Sequence, residues 1–326
     1  MHRPEARRYS GQVFVGETGS YSIGELIGFG GYTGVFHAVE QDSGRVVAVK
    51  ALGFEGRAPS ALAEFEAEIE TLRRLASCPN VVTLLDEGAF TVELQARGGR
   101  TFPVHVPFMV IDRAVTGFHR MLKHRDEVPW AFRLTIFRDI VEGVSQMHRA
   151  GLVHGDVKAT NCLVFEHEPK GRITDVGAAN GRTGDPVFAP PERFWELDET
   201  GSQGARLTEL YLLGSLLYEC ATGKGITAAV LGPLESAAGR SAGVADREAR
   251  ERDFRSSLPL LRGQYEAAYE VFEREAPTCI ATEGAALLRR LTDPDPRQRG
   301  PSVPASDDLA WLIERVEQGS GAPGRA

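Results

Sequence analysis

The apolar residues of this chain change period about a third of the way along it, and that switch restricts the possible fold more than any other feature. Up to Ile111 they form short runs broken by turn residues: Tyr21 to Ile27, Val35 to Val39, Arg45 to Lys50, Val81 to Asp86, Ala89 to Ala96 and Phe102 to Ile111. Runs rich in β-branched and aromatic residues suit strands, with Asp42-Ser43-Gly44 and Arg97-Gly98-Gly99 as turns between them. One stretch in this region differs. Leu62, Phe65, Ile69, Leu72 and Leu75 recur at spacings of three and four, the stripe of a helix, which Cys78-Pro79-Asn80 brings to an end.

From Pro129 onward helical spacing dominates. Trp130 to Ala150 presents Phe132, Ile136, Phe137, Ile140, Val144 and Met147 on one face and stops at Gly151. Leu207 to Cys220 is apolar almost all round, which predicts a helix buried in a core. Leu258 to Arg274, Gly284 to Leu291 and Asp307 to Glu317 read as amphipathic helices, and Cys162 to Phe165 and Arg172 to Thr174 as two short strands. Between Thr222 and Asp246 the chain turns to Gly, Ala and Ser, which predicts a loop or a loosely held helix. A strand-rich lobe followed by a helix-rich lobe is an α+β arrangement.

Composition narrows the function. With 45 acidic against 37 basic side chains the formal charge is −8, and no segregated basic face offsets it, so nucleic acid is excluded as a partner. The four cysteines, Cys78, Cys162, Cys220 and Cys279, lie far apart, which argues against a disulfide scaffold or structural zinc and for buried free thiols. Arg3, Arg7 and Arg8 precede no apolar signal core, and the run Leu210 to Ala221 is too short to span a bilayer. A cytoplasmic protein without membrane insertion is expected.

Three segments carry chemistry. Ile27-Gly28-Phe29-Gly30-Gly31-Tyr32-Thr33-Gly34-Val35 is a glycine-rich tip whose amides can approach phosphate oxygens, although such tips are also plain turns. Lys50 ends an apolar strand, and Glu68 shares the buried helix face of Phe65 and Leu72, where a lone carboxylate would be costly. Lys50 is its natural partner. The third segment, His154-Gly155-Asp156-Val157-Lys158-Ala159-Thr160-Asn161, precedes an apolar strand and gathers an acid, a lysine and a carboxamide. These can accept a proton from a hydroxyl, neutralise a phosphate and hold a metal, the parts that phosphoryl transfer needs. Asp175, after the next strand, adds a second carboxylate.

In their order and spacing these segments resemble the eukaryotic-like, or Hanks-type, serine/threonine protein kinases, in a chain of bacterial composition. The resemblance implies a bilobal kinase fold, with a β-rich N-lobe carrying one main helix over about 21–112 and a mainly helical C-lobe over about 115–316. Residues 1–20 would be a flexible extension and 317–326 a disordered tail. It further implies ATP and magnesium as cofactors and protein serine or threonine as acceptor. Ile27, Gly28 and Gly30 would cover the phosphates, Val35 and Ala48 roof the adenine, and Asp112 and Ala114 offer it the hinge backbone. Lys50 would hold phosphate and pair with Glu68, Asp156 would be the catalytic base, Lys158 would neutralise the γ-phosphate, and Asn161 and Asp175 would bind magnesium. Glu192, closing the segment Gly184 to Glu192, would pair with Arg299.

The chain departs from the pattern at several positions. Gly155 stands where an arginine usually reads an activation-loop phosphate, and Thr183 is the only hydroxyl side chain from Asp175 to Glu192, so activity independent of loop phosphorylation is expected. Asp185 replaces the usual threonine, which bears on acceptor preference. Val176 replaces a phenylalanine, and Glu209 replaces the aspartate that usually anchors the catalytic loop. The His-Gly-Asp triplet also suits a small-molecule phosphotransferase of kinase-like fold, against which Lys158 and the Glu192 to Arg299 pairing argue. A pseudokinase scaffold is the third alternative.

Overall fold

Strand residues that are apolar on both faces need two covers, and this chain supplies both for its fourth strand. The structure, a computed structural model, describes residues 9–53, 59–95, 101–176, 187–197, 202–239 and 243–299. Expectations on Arg97 to Gly99, Thr183, Asp185, Asp307 to Glu317 and 317–326 fall outside the described residues. The chain divides into two units, Met1–Val115 with Asp175–Gly177, and Thr116–Thr174 with Ala178–Ala326.

The first unit holds strands β1 (Val13–Val15), β2 (Ser20–Phe29), β3 (Thr33–Glu40) and β4 (Val46–Leu52), helix α1 (Pro59–Arg74), and strands β5 (Leu84–Gln95) and β6 (Thr101–Asp112). The sheet order is β1-β2-β3-β4-β6-β5, antiparallel throughout. A bridge between Gly16 and Gly88 joins the end of β1 to β5, so the sheet returns on itself as a closed barrel. Both positions need glycine for close approach. A Cβ on Gly16 would sit 2.2 Å from the Asp86 carboxylate, and one on Gly88 would sit 2.8 Å from the Val15 carbonyl.

Alternation along β4 sends Ala48 and Lys50 to one face and Val47, Val49 and Ala51 to the other. Cross-strand pairing sets Val49 beside Phe36 and Ala51 beside Phe108, lining the barrel interior. Tyr9 and Phe14, both fully buried, fill that interior against Phe36, Phe90 and Phe108, with the Phe14 and Phe90 rings stacked at 4.3 Å. The Tyr9 hydroxyl donates to the Leu52 carbonyl at 3.1 Å. Asp86, also buried, accepts from the N–H groups of Glu17, Thr18, Gly19 and Glu87 and from the Tyr21 hydroxyl. Burial pushes its pKa up, but these donors outweigh burial and hold it below the usual carboxylate value. Residues 9–19 therefore do not form the flexible extension expected over 1–20. They complete the barrel, and only tertiary contact reveals that Tyr9 and Phe14 pack on Phe36, Phe90 and Phe108 and that the 17–19 amides bond Asp86.

The second unit holds β7 (Thr116–Gly117), α2 (Phe118–Leu122), α3 (Trp130–Arg149), β8 (Cys162–Val164), β9 (Gly171–Ile173), α4 (Ser202–Thr222), α5 (Ile226–Ala238), α6 (Arg247–Glu275) and α7 (Ala281–Thr292). Strands β7, β8 and β9 form a small antiparallel sheet. Helix α4 is buried on all sides from Glu209 to Ala221, as its apolar composition predicts. Two elements differ from the sequence reading. The Gly/Ala-rich segment forms α5, whose Ile226, Val230, Leu234 and Ala237 bury one face despite Pro233. Helix α6 begins eleven residues before Leu258, capped by the Asp246 side chain on the Glu248 N–H. Its first turns are polar and Pro259 lies inside it, so its sequence hides what Trp195 stabilises through Phe254 and a hydrogen bond to Asp253. Among the described residues no helix is long and apolar enough to cross a membrane.

Candidate active site

In the first unit, pairing of β3 with β4 sets Val35 opposite Lys50, and β6 sets Met109 on its other side. Lys50 and Glu68 are both more than nine-tenths buried, and Lys50 Nζ donates to both Glu68 oxygens at 2.7 Å. The same ammonium donates to Asp175 Oδ1 at 2.7 Å. Burial alone would lower the Lys50 pKa. The Glu68 charge, and then that of Asp175, outweigh it and raise the pKa, so the lysine is charged. Asp175 has φ of 67°, a left-handed conformation that aspartate tolerates better than most residues, and its side chain is half exposed. Val176 beside it is fully buried, keeping the apolar character of its position.

The glycine-rich tip is the β2–β3 hairpin, closed by Gly30 N–H to the Thr33 carbonyl at 2.9 Å, with Phe29 and Tyr32 exposed beside it. A Cβ on Gly31 would meet nothing within 4 Å, and one on Gly28 only Val35 at 3.7 Å. Packing within the chain thus does not demand glycine at these positions. Their open surroundings fit a backbone that a phosphate group approaches. Ala48 is buried on the Lys50 side of β4, while Ile27 and Val35 are half-buried. Asp112 ends β6 and pairs with Arg45 at 2.8 Å, and the carbonyl of the buried Ala114 accepts from the Arg113 guanidinium.

In the second unit, the loop from His154 to Asn161 is held by its own polar groups. Asp156 Oδ2 pairs with Lys158 Nζ at 2.9 Å and accepts from Asn161 Nδ2 at 3.0 Å, and the same amide reaches the Asp156 carbonyl. The Asn161 amide is thereby turned so that its Oδ1 points away from Asp156. Taken singly, the Asn161 carboxamide oxygen and the Asp175 carboxylate are both hard donors of the kind magnesium takes.

Two supports of this loop were not singled out as site residues. His154 is fully buried; its Nδ1 accepts from the Asp156 N–H and its Nε2 donates to the Thr174 carbonyl. Because a carbonyl only accepts and an N–H only donates, these partners select one neutral tautomer. Glu209, fully buried on α4, accepts the Gly155 N–H at 2.8 Å and bonds His148 Nε2 with its other oxygen. Gly155 has φ of 79°, where a side chain is strained. A further carboxylate, Glu219, touches the loop at the Ala159 N–H; burial lifts its pKa to about 7 against that hydrogen bond, and its Oε2 has no hydrogen-bond partner among the described residues. The signal for His154 was its place in the triplet; nothing in the sequence marked Glu219.

Glu192 and Arg299 form the expected pair, bidentate at 2.6 and 2.7 Å, with the guanidinium wholly buried 4.8 Å over the Tyr211 ring.

The family model described as the protein kinase domain matches residues 21–303. Among curated proteins the chain is 29% identical over 210 residues to serine/threonine-protein kinase PknK of Mycobacterium tuberculosis, covering 61% of this chain and 17% of that protein. It is 31% identical over 232 residues to PknA of the same species, covering 66% and 49%, and 30% identical over 221 residues to mouse serine/threonine-protein kinase STK11, covering 63% and 47%. The chain thus spans less than half the length of these relatives, and residues 9–20 lie outside the matched region.

Proposed function

The chain belongs to the protein kinase domain family, and from that premise we propose that it transfers the γ-phosphoryl group of ATP to serine or threonine of protein substrates. The observation that carries the reading is the Asp156 carboxylate held between Lys158 and Asn161 in one loop. With Oδ2 committed to those two, Oδ1 is the oxygen that takes the proton of an attacking hydroxyl. Lys158 brings positive charge to the phosphoryl group as it moves, and Lys50, oriented by Glu68, holds the phosphates that remain behind. Ile27, Gly28 and Gly30 lie over the phosphates; Val35 and Ala48 enclose the adenine, which meets the backbone of Asp112 and Ala114. Asn161 and Asp175 would hold magnesium, and the metal would supply charge that offsets the phosphate oxygens. ATP as donor supports a cytoplasmic setting.

Independence from activation-loop phosphorylation follows from Gly155. The position lacks a side chain to read a phosphate, and its N–H is already held by Glu209. Thr183→Ala should keep wild-type turnover; loss of activity that Thr183→Glu restores overturns this part of the reading.

The test of the whole is incubation of purified protein with ATP and magnesium, followed by mapping of phosphorylated residues by mass spectrometry. Phosphoserine or phosphothreonine on protein, absent with Asp156→Asn, is the expected result. Phosphate on an aminoglycoside or similar small molecule and none on protein makes the chain a small-molecule phosphotransferase, and neither product makes it a scaffold.

A further inference from the structure

Helix α5, in the stretch that the sequence reads as a loop or a loosely held helix, touches the segment that leads into the Glu192 to Arg299 pair. The Ala189 carbonyl is buried and accepts from Thr227 Oγ1 at 2.9 Å, and Thr227, in the first turn of α5, is fully buried. The Thr227 hydroxyl lies 2.8 Å from the Tyr211 hydroxyl, which lies 2.6 Å from that of Tyr265 on α6. The direction of this chain is dictated by its end. A carbonyl cannot donate, so Thr227 donates to Ala189, accepts from Tyr211, and Tyr211 in turn accepts from Tyr265. Burial pushes the Tyr211 pKa to about 12 and raises that of Tyr265 further, so neither proton is lost near neutral pH.

The seat has a second contact. A Cβ on Gly225, the residue before α5, would fall 2.7 Å from the Phe188 ring, so Phe188 rests directly on that backbone. Tyr211 also lies beneath Arg299, which grips Glu192. One tyrosine therefore ties both ends of the 189–192 stretch, Ala189 through its hydroxyl and Glu192 through its ring.

We propose that Thr227 is a positioning residue for the protein acceptor: its hydroxyl, fed by Tyr211 and Tyr265, sets the height of Phe188 and Ala189, in the stretch where the kinase reading seats the acceptor. This rests on the protein-kinase reading and assigns α5 a role in that reaction. Thr227→Val keeps the shape and removes the donor, whereas Thr227→Ser keeps the donor and removes a methyl group.

The test is steady-state kinetics with a phosphorylatable protein acceptor for wild type, both Thr227 variants and Tyr265→Phe, with thermal melting alongside. Thr227→Val should raise KM for the acceptor about fivefold, the worth of one hydrogen bond, with KM for ATP at the wild-type value. Thr227→Ser should stay within about twofold of wild type, and Tyr265→Phe should raise acceptor KM by a smaller factor, since it weakens the donor only through its neighbours. Should Thr227→Val fail to fold, Tyr265→Phe, which leaves Ala189 untouched, carries the test. A silent Val variant with an impaired Ser variant reduces Thr227 to packing and overturns the inference, as does an equal rise in KM for ATP. A wild-type protein that phosphorylates no acceptor overturns the kinase reading and this inference with it; an active wild type with unchanged Tyr265→Phe and Thr227→Val overturns this inference alone.

Discussion

The charged cluster of the first unit and the polar loop of the second hold their reactive groups in opposite ways. Lys50, Glu68 and Asp175 meet at 2.7 Å, two of the three in a nearly dry interior, so each charge depends on the others. Removing Lys50 takes from the buried Glu68 the cation that both its oxygens face. Around Asp156 the geometry is held by the backbone and neutral groups as well: the His154 ring, the Asn161 amide and the Gly155 N–H on Glu209. There a single change of charge disturbs chemistry before it disturbs the fold. The role proposed for Lys50 needs a fixed charge balance, while the one proposed for Asp156 needs a fixed backbone.

The largest expected effects separate these two modes. Asp156→Asn should lower kcat by about 10³-fold while the unfolding free energy from urea titration stays within about 0.5 kcal/mol of wild type. Lys50→Met should also remove most turnover, but with a loss of about 3 kcal/mol in unfolding free energy as the buried Glu68 carboxylate loses the ammonium that faces both its oxygens. Equal stability of the two variants would erase the contrast. Next comes Asp86→Ala, which removes the buried acceptor shared by the Glu17, Thr18 and Gly19 N–H groups and the buried Tyr21 hydroxyl, and should cost about 3 kcal/mol by denaturant titration. A cost under about 0.5 kcal/mol would show that the barrel does not need its first strand.

Glu219 differs from the other supports of the loop, a buried carboxylate touching it without a counter-ion among the described residues. Its pKa is raised from 4.5 to about 7, so the folded state holds a proton that the unfolded chain has lost, and stability falls as pH rises through that window. Glu219→Gln should be no more stable than wild type at pH ~5 and more stable by between about 1 and 3 kcal/mol at pH ~8. A difference that is flat with pH would sink the assignment. The smallest effect is Gly155→Ala, which forces a side chain into left-handed backbone and should cost about 1 kcal/mol, with a modest loss of kcat.

Much of the candidate site was legible in the residues themselves. Glu68 on an apolar helix stripe demanded a cation, and the structure pairs it with Lys50. The spacing from Asp156 to Lys158 and Asn161 put all three in one loop, where they touch. Glu192 and Arg299 stand 107 residues apart, and only the family resemblance joined them beforehand. The left-handed backbone at Gly155 and the tautomer of His154 were not legible, because each depends on a distant acceptor, Glu209 in one case and the Thr174 carbonyl in the other.

The sequence by itself determined which stretches alternate, which recur with helical spacing, and which reactive groups lie within one loop or on one helix face. All of these are interactions over a few residues, where period and spacing decide. Tertiary structure alone decided that Tyr9 and Phe14 close a barrel, that a Gly/Ala-rich stretch with an internal proline is a helix, and that Tyr265, Tyr211 and Thr227 converge on Ala189. In each case the local preference is weak or contrary, and burial against residues far along the chain supplies the free energy that overrides it.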